Sequence, residues 1–391
     1  MKQSTDRILT THTGSLPRPA DLLEMLRKDE AGELGDRAAF DARVRAAVAE
    51  VARKQVEAGI AIVNDGEQGK PGYSTYIKSR VTGFGGQSRV TTIYAEARDF
   101  PEYWARGTGG VTSKFLRPFC NGPIAWKDFP AVQRDIDNLK NALKGFQVED
   151  VFMTAASPGV VSIFLANDYY PSREKYLEAI AGVMKDEYNA IHRAGFVLQL
   201  DCPDLAMSRH NRFPDMALED FRKIAALHIE VLNEATKDIP PDQMRLHLCW
   251  GNYEAPHHLD VPLKDIIDIA LKARPAGLSF EGANPRHEHE WKVWKQVKLP
   301  PGKVIIPGVI DSTTNFVEHP ELVAERIVRY ANVVGKENVI AGVDCGFGTF
   351  ADSSPVDGRV AWAKLRALAE GARLASEELW RAKPRRQRRQ P

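Results

Sequence analysis

Residues 245–258 read RLHLCWGNYEAPHH, with His247 and Cys249 two positions apart at the end of an apolar run. Alternate residues of a strand point to the same face. A strand ending here would aim an imidazole and a thiol at one spot, either as two buried core residues or as half of a metal site. Polar residues also follow the other apolar runs. HTGSLPRP brings His12, Gly14 and Ser15; NDGEQGK brings Asp65, Glu67 and Lys70; DCPD opens on Asp201. Glu281 follows GLSF, Asp311 follows KVIIPGVI, and DCGFG carries Cys345.

Four of these residues make a zinc shell on chemistry alone: His247, Cys249, Glu281 and Cys345. Zinc accepts thiolate, imidazole and carboxylate in a tetrahedron, whereas calcium and magnesium want an all-oxygen shell. The four are far apart in sequence, unlike the CxxC knuckles of structural zinc modules. Ligands drawn from separate strands point to a catalytic site instead. Taken alone, H-x-C is better explained as a buried His beside a buried Cys, and it is the strand-end Glu and Cys that change the balance. A thiol with a pKa of about 8.5 is mostly protonated at neutral pH, and zinc coordination removes that proton. Such a site would hold a substrate thiol as a nucleophilic thiolate.

The elements that must position these side chains recur along the chain. Candidate strands are ILTTH, IAIVND, VFMTAA, FVLQLD, RLHLC, GLSFE, KVIIPG and NVIAGVD. Between them, REKYLEAIAGVMKDEYNAIHRAG, ALEDFRKIAALHIEVLNEATK and HPELVAERIVRYANVVG repeat apolar residues at three and four, as outer helices require. DGRVAWAKLRALAEGARLASEELW supplies a long final helix. Strands alternating with helices imply the α/β class, and eight of them suit a (β/α)8 TIM barrel with its active site at the strand C-termini. A doubly wound sheet shares this local pattern but usually carries a Gly-rich fingerprint after its first strand, which is absent here. Residues 67–150 are too long for a simple loop, and within them RVTTIYAEARDF and FLRPFCNGPIAW read as extra strands. This stretch is taken as a substrate-covering insertion after an early strand, inside one catalytic domain spanning residues 1–378. Residues 379–391 form a basic tail that reads as disordered.

Bulk properties narrow the function classes. The 391 residues are 43% hydrophobic and 27% charged, ordinary for a chain with a large core. A formal net charge of +1 gives no general pull towards nucleic acid or anionic membranes, and the basic tail has no aromatic or fold support for nucleic-acid binding. No apolar run reaches the roughly 18 residues a membrane-spanning helix needs. The opening MKQSTDRILTTHTGSLPRP does not read as a signal peptide. Four scattered cysteines (Cys120, Cys202, Cys249, Cys345) do not make a disulfide framework, so the expected compartment is the cytoplasm. The expected partners are small molecules, with a homo-oligomer left open.

GSLPRP, NDGE, LQLDCP, HLC, FE after a strand, PGVID and DCG follow one another in an order and spacing that carry a resemblance. The chain resembles the catalytic C-terminal domain of cobalamin-independent methionine synthase, and more closely its single-barrel relatives, over nearly its whole length except the basic tail. The resemblance implies a (β/α)8 barrel with zinc at the strand C-termini and places the ligands on His247, Cys249, Glu281 and Cys345. It further implies that Ser15 helps hold the amino acid and that Glu67 and Asp201 bind the homocysteine amino group. Considered alone, these two acids would pass for helix N-caps or salt-bridge partners. There is one departure: the family's His two residues after the Asp that follows strand seven is Thr313 here, with Asp311 kept, while His319 looks like the start of the next helix. The second barrel of the long members is not matched either. The expected activity is zinc-dependent alkyl transfer to a small-molecule thiol, with homocysteine methylated to methionine. Glu67 and Asp201 would fix the ammonium, and Asp311 or a nearby His would handle a proton. One rival keeps the zinc chemistry, as in epoxyalkane:coenzyme M transferases. It would need cationic contacts for a sulfonate, for which Lys70, Arg18 and Arg117 are candidates. Another is a metal-free barrel similar to porphyrinogen decarboxylases, which would leave His247 and the two thiols unexplained.

Overall fold

Eight strands are present in the computed structural model, which describes residues 1–88, 94–106, 117–351 and 355–380. They are β1 (Ile62–Val63), β2 (Phe84–Gly85), β3 (Phe119–Cys120), β4 (Asp150–Ala156), β5 (Val197–Asp201), β6 (Met244–His247), β7 (Gly277–Phe280) and β8 (Val304–Pro307). Six of them form one parallel sheet in the order β1-β4-β5-β6-β7-β8. Two bridged stretches complete the ring. The amide of Thr11 donates to the carbonyl of Ala341 at 2.9 Å, that of Ala341 to Leu9 at 2.8 Å, and that of Ile62 to Thr10 at 2.9 Å. On the far side, Val339 bridges Ile305 and Gly342 bridges Gly308, both in parallel. The sheet thereby closes into the eight-membered parallel barrel expected from the sequence.

Alternation along each strand sorts the side chains. Leu198, Leu200, Met244, Leu246 and Leu278 face outwards and join the core under the helices. Leu9, Ile62, Phe152, Val197, Val304, Ile306 and Ile340 form a separate inner cluster. Gln199, Asp201, Arg245 and His247 continue the inward face of β5 and β6. The buried Arg245 donates to Gln199 Oε1 at 2.7 Å, Thr11 Oγ1 at 2.8 Å and the carbonyl of His12 at 2.6 Å, with its guanidinium over the Phe152 ring. A charged residue inside the barrel is thus tied into its wall by hydrogen bonds.

The predicted helices appear as Arg173–Arg193, Leu218–Ala235, Pro320–Val334 and Gly358–Trp380. Ser172 caps the first by accepting from the Lys175 amide, and His319 caps the third by accepting from Glu321. Helix Arg37–Glu57 was not anticipated, although Asp36 caps it and Phe40, Val44, Ala47, Val48 and Val51 form its buried stripe. Between β7 and β8 the chain makes only a 3-10 stretch, Glu288–Lys295, instead of a full barrel helix.

Residues 67–150 depart from the expected extra strands. Of RVTTIYAEARDF, residues 89–93 lie outside the described residues. The remainder forms a 3-10 turn, Ala95–Arg98, followed by the short helix Pro101–Ala105. Pro101 at the first helical position has no N–H to give to a ladder. Tyr94 instead stacks on Trp104, with ring centroids 4.6 Å apart. Of FLRPFCNGPIAW, residues 115 and 116 lie outside the described residues; the rest contributes β3, paired antiparallel with β2, a parallel bridge from Cys120 to Asn167 and a bridge from Trp126 to Val81. Helix Pro130–Ala142 then packs on Arg37–Glu57 and leads into β4. Residues 381–391, which hold nearly all of the basic tail, lie outside the described residues. Among the described residues no helix is long and apolar enough to cross a membrane.

Candidate metal and substrate site

The barrel register sets Asp201 opposite His247 at the ends of β5 and β6. Two residues on, Cys249 returns to the same face, and Cys345 arrives from the last barrel step. One ligand atom each from His247, Cys249 and Cys345 lies within 4.8 Å of the others. Cys345 Sγ is 3.6 Å from His247 Nε2 and 3.6 Å from Cys249 Sγ, and the Gly251 amide donates to Cys249 Sγ at 3.2 Å. Burial, and then the nearby Arg245, pulls the His247 pKa down to about 3, so its imidazole is neutral with a lone pair to give. His247 Nδ1 is buried with no hydrogen-bond partner. The Cys249 thiol is pushed well up by its hydrogen bond to Cys345 and by burial. Two sulfurs and a neutral imidazole gathered on one buried face fit zinc and match no calcium or magnesium shell.

Glu281 stands beside this trio but outside it. Its Oε1 accepts from the Trp250 amide at 2.7 Å and its Oε2 from Asn284 Nδ2 at 2.8 Å, and it also acts on the Cys249 thiol. Burial, then Cys249, pushes the Glu281 carboxyl well above the usual range. The loop carrying Glu281 is held by Asp344, whose carboxylate accepts from the amides of Gly282, Ala283 and Asn284 at 2.8, 2.9 and 2.8 Å. Asp344 adjoins Cys345, so one side chain ties two strand ends together. Sequence reasoning passed over it because most of its partners are backbone groups, Asn284 Nδ2 being the exception.

Two buried carboxylates face the same cavity. Glu67 has φ 54° in the turn after β1, where its amide is fixed by Asp65 Oδ1 at 3.0 Å. Its Oε1 accepts from Thr154 Oγ1 at 2.9 Å, while Oε2 is buried without a partner. Asp201 Oδ1 accepts from Gln199 Nε2 at 2.8 Å, so the Arg245–Gln199 chain orients it. Neither acid caps a helix. Burial raises the Glu67 pKa against the pull of Lys70 and Arg18; burial, then the charge of Glu67, pushes Asp201 well up. Gly14 makes room for this arrangement: at φ 146° an added Cβ would stand 2.6 Å from Thr154 Cγ2 and 2.7 Å from Glu67 Oε1. Ser15 lies under Gly346, where a Cβ would meet Ser15 Oγ at 2.0 Å.

Thr13, Ser15, Glu67, Asp201, His247, Cys249 and Cys345 line one cavity, with Tyr73, Tyr94, Phe164 and Phe350 among its walls. Asp311 is not part of that lining. Its oxygens accept from the amides of Thr313 and Thr314 at 2.9 and 3.1 Å and from their hydroxyls at 2.8 and 2.5 Å. Lys70 Nζ is taken up by the Thr154 carbonyl at 2.7 Å, and Arg18 by the carbonyls of Gly348, Glu67 and Lys70. Arg117 does line the cavity. A buried cluster that the sequence did not reveal lies behind it. Asp260 meets His210, His257 and His287 at 3.0, 2.9 and 3.0 Å, and His210 Nε2 is 3.0 Å from the hydroxyl of Tyr253 on the cavity wall.

The profile of the family described as cobalamin-independent synthase, catalytic domain, matches residues 159–357, half of the chain. The chain belongs to that family. Members similar to it include the methionine synthase of Thermococcus kodakarensis, 25% identical over 95% of this chain and 94% of the relative. That of Pyrococcus furiosus is 26% identical over 95% and 93%. A solved B12-independent methionine synthase from Shewanella sp. W3-18-1, in complex with selenomethionine, superposes with a TM-score of 0.73 at 21% identity, covering 95% of this chain and 99% of that one. That likeness supports the family's barrel fold.

Proposed function

We propose that this cobalamin-independent synthase methylates the thiol of homocysteine to give methionine, using zinc held by His247, Cys249 and Cys345 with Glu281 beside them. The observation that carries the reading is the trio of soft ligands at strand ends, opening on the same cavity as two buried carboxylates. The names of the relatives, methionine synthases matched end to end, agree with it. When bound, zinc supplies the Lewis acidity that keeps a thiol ionised near neutral pH.

The remaining work belongs to the chain. Glu67 and Asp201 receive the amino acid's ammonium: two carboxylates that repel one another in a buried pocket are relieved by a cation between them, and Glu67 Oε2 has no other partner. Ser15 holds the same end of the substrate. Neutral His247 and the Asp344-anchored loop keep the ligands in place without a change of protonation. Tyr73, Phe164 and Phe350 exclude water, which strengthens these contacts. The methyl replaces the proton on sulfur, and the donor's leaving atom takes up a proton. The catalytic unit spans residues 1–378, and the described part of the 67–150 stretch reaches the site through Tyr73, Tyr94 and Arg117.

Metal analysis of purified wild type, Cys249→Ser and Cys345→Ser tests the reading. One zinc per chain in wild type, lost in both variants together with homocysteine methylation, is the expected result. A wild type that stays metal-free after zinc reconstitution would overturn it.

A further inference from the structure

The cavity has a second charged pole that the proposed reaction does not use. Arg117 and Arg212 both line it, and both are half-buried, whereas Glu67 and Asp201 are buried. The Arg117 guanidinium lies 4.9 Å from the centre of the Phe164 ring. Arg212 ends the short helix Ser208–Asn211 and donates from Nη2 to the Ile163 carbonyl. That contact caps the helix Pro158–Phe164, a familiar use for a cation, but it engages only part of a five-donor fork. Nor does it account for a second guanidinium held close enough to repel the first. Burial, followed by Arg117, brings Arg212 down to about 10, with only Tyr94 opposing; no carboxylate contributes. Two guanidiniums brought to the end of one helix, at Phe164 and Ile163, with no counter-charge at Arg212, are a surface prepared for an oxyanion.

The acidic pole has cations of its own. The charges that act on Glu67 and Asp201 include Lys70, Arg18 and Arg245, with neither cavity arginine prominent among them. An α-amino acid carries its ammonium and carboxylate on one carbon. An acceptor anchored at Glu67 and Asp201 therefore keeps its carboxylate at that end, near Ser15. Arg212, with no counter-charge of its own, is placed to meet the other reactant, and Arg117 borders the same wall.

We propose that Arg117 and Arg212 form an anion subsite that binds a carboxylate, phosphate or sulfonate group of the alkyl donor, apart from the thiol acceptor. This assignment rests on the proposed function for the acceptor's position. Calorimetric titration of zinc-loaded wild type, Arg212→Gln and Arg117→Gln with inorganic phosphate, glutarate and methanesulfonate, and separately with homocysteine, tests it. At least one of the three anions is expected to bind wild type, and each Gln variant to weaken it by about 10-fold or more. Homocysteine affinity should change by less than about 2-fold, and the preferred anion names the donor's group. Arg212→Lys, which keeps the charge but not the fork, should recover part of the binding in a chain that melts like wild type. Absence of binding by all three anions, equal binding by wild type and the Gln variants, or a loss of homocysteine matching the loss of anion would overturn the subsite. If homocysteine fails to bind wild type while an anion binds in an arginine-dependent way, the subsite stands and the homocysteine reading falls.

Discussion

Replacing Asp201 with Asn separates what the site does for its substrate from what it does to the fold. Asn keeps an oxygen to accept from Gln199 Nε2, so the side chain stays tethered while its charge is removed. A charge-assisted hydrogen bond to a buried ammonium contributes about 1.5–3 kcal/mol. At about 1.4 kcal/mol per decade, homocysteine binding should weaken roughly 10- to 150-fold. 4-Mercaptobutyrate, which has the thiol and carboxylate but no amino group, should bind the variant as well as wild type or better. Stability moves the other way. Burial and the charge of Glu67 raise the folded-state pKa of Asp201 well above its unfolded value. A raised carboxyl stabilises fully at low pH and loses that contribution as pH rises through the folded pKa, so near pH 7 burial of the anion opposes folding. The ligand-free variant should therefore melt above wild type at pH 7, by about 2 °C for each kcal/mol recovered, with the gap closing as pH falls. Calorimetric binding of the two thiols together with melting curves from pH 4 to 8 checks both halves. Equal weakening of both ligands, or a lower melting temperature at pH 7, would refute the reasoning.

Gly14→Ala should raise KM for homocysteine by 10-fold or more while leaving zinc content unchanged, because the new Cβ would stand 2.7 Å from Glu67 Oε1 at a φ that strains any side chain; steady-state kinetics with metal analysis decides. Asp344→Ala strips the acceptor from three loop amides, and zinc affinity should fall about 10- to 100-fold, as when other outer-shell partners are lost; competition with a coloured chelator measures it. Burial alone would lower the His287 pKa, but hydrogen bonds to Asp260 and Glu290 outweigh it and raise the value to about 10. Its contribution to stability is therefore complete below the ordinary 6.5 and lost as pH rises through about 10. The wild type's melting temperature should fall across that window, and His287→Asn, less stable at pH 6.5, should show a shallower slope.

The barrel was legible because its strands end where apolar runs meet acids, thiols and imidazoles, and because inward and outward residues alternate. His247 and Cys249 declared a shared face by spacing alone, and Cys345 joins them because DCGFG ends another barrel step. What stayed hidden depends on contacts between distant segments. Asp260 gathers imidazoles from positions 210, 257 and 287, of which only His257 lay in the stretch that first drew attention. Arg212 drew no notice in the sequence, and only the fold sets it on the same cavity wall as Arg117. Within the described part of residues 67–150 only β3 came of the expected extra strands, because a local run of strand-forming residues says nothing about whether a partner strand exists. Asp311 shows the limit most sharply. A strand-end acid is read as reactive by position, yet its worth depends on which lone pairs remain after the local turn has formed. Thr313 and Thr314 already donate four hydrogen bonds to Asp311, whereas Glu67 keeps an oxygen with no partner. Thr313 stands where the resembling synthases carry His, so the substitution that put the proton donor in question also supplies hydroxyl and amide donors that hold Asp311 in its loop. A proton handled by Asp311 in the proposed reaction would therefore have to pass through these contacts with Thr313 and Thr314.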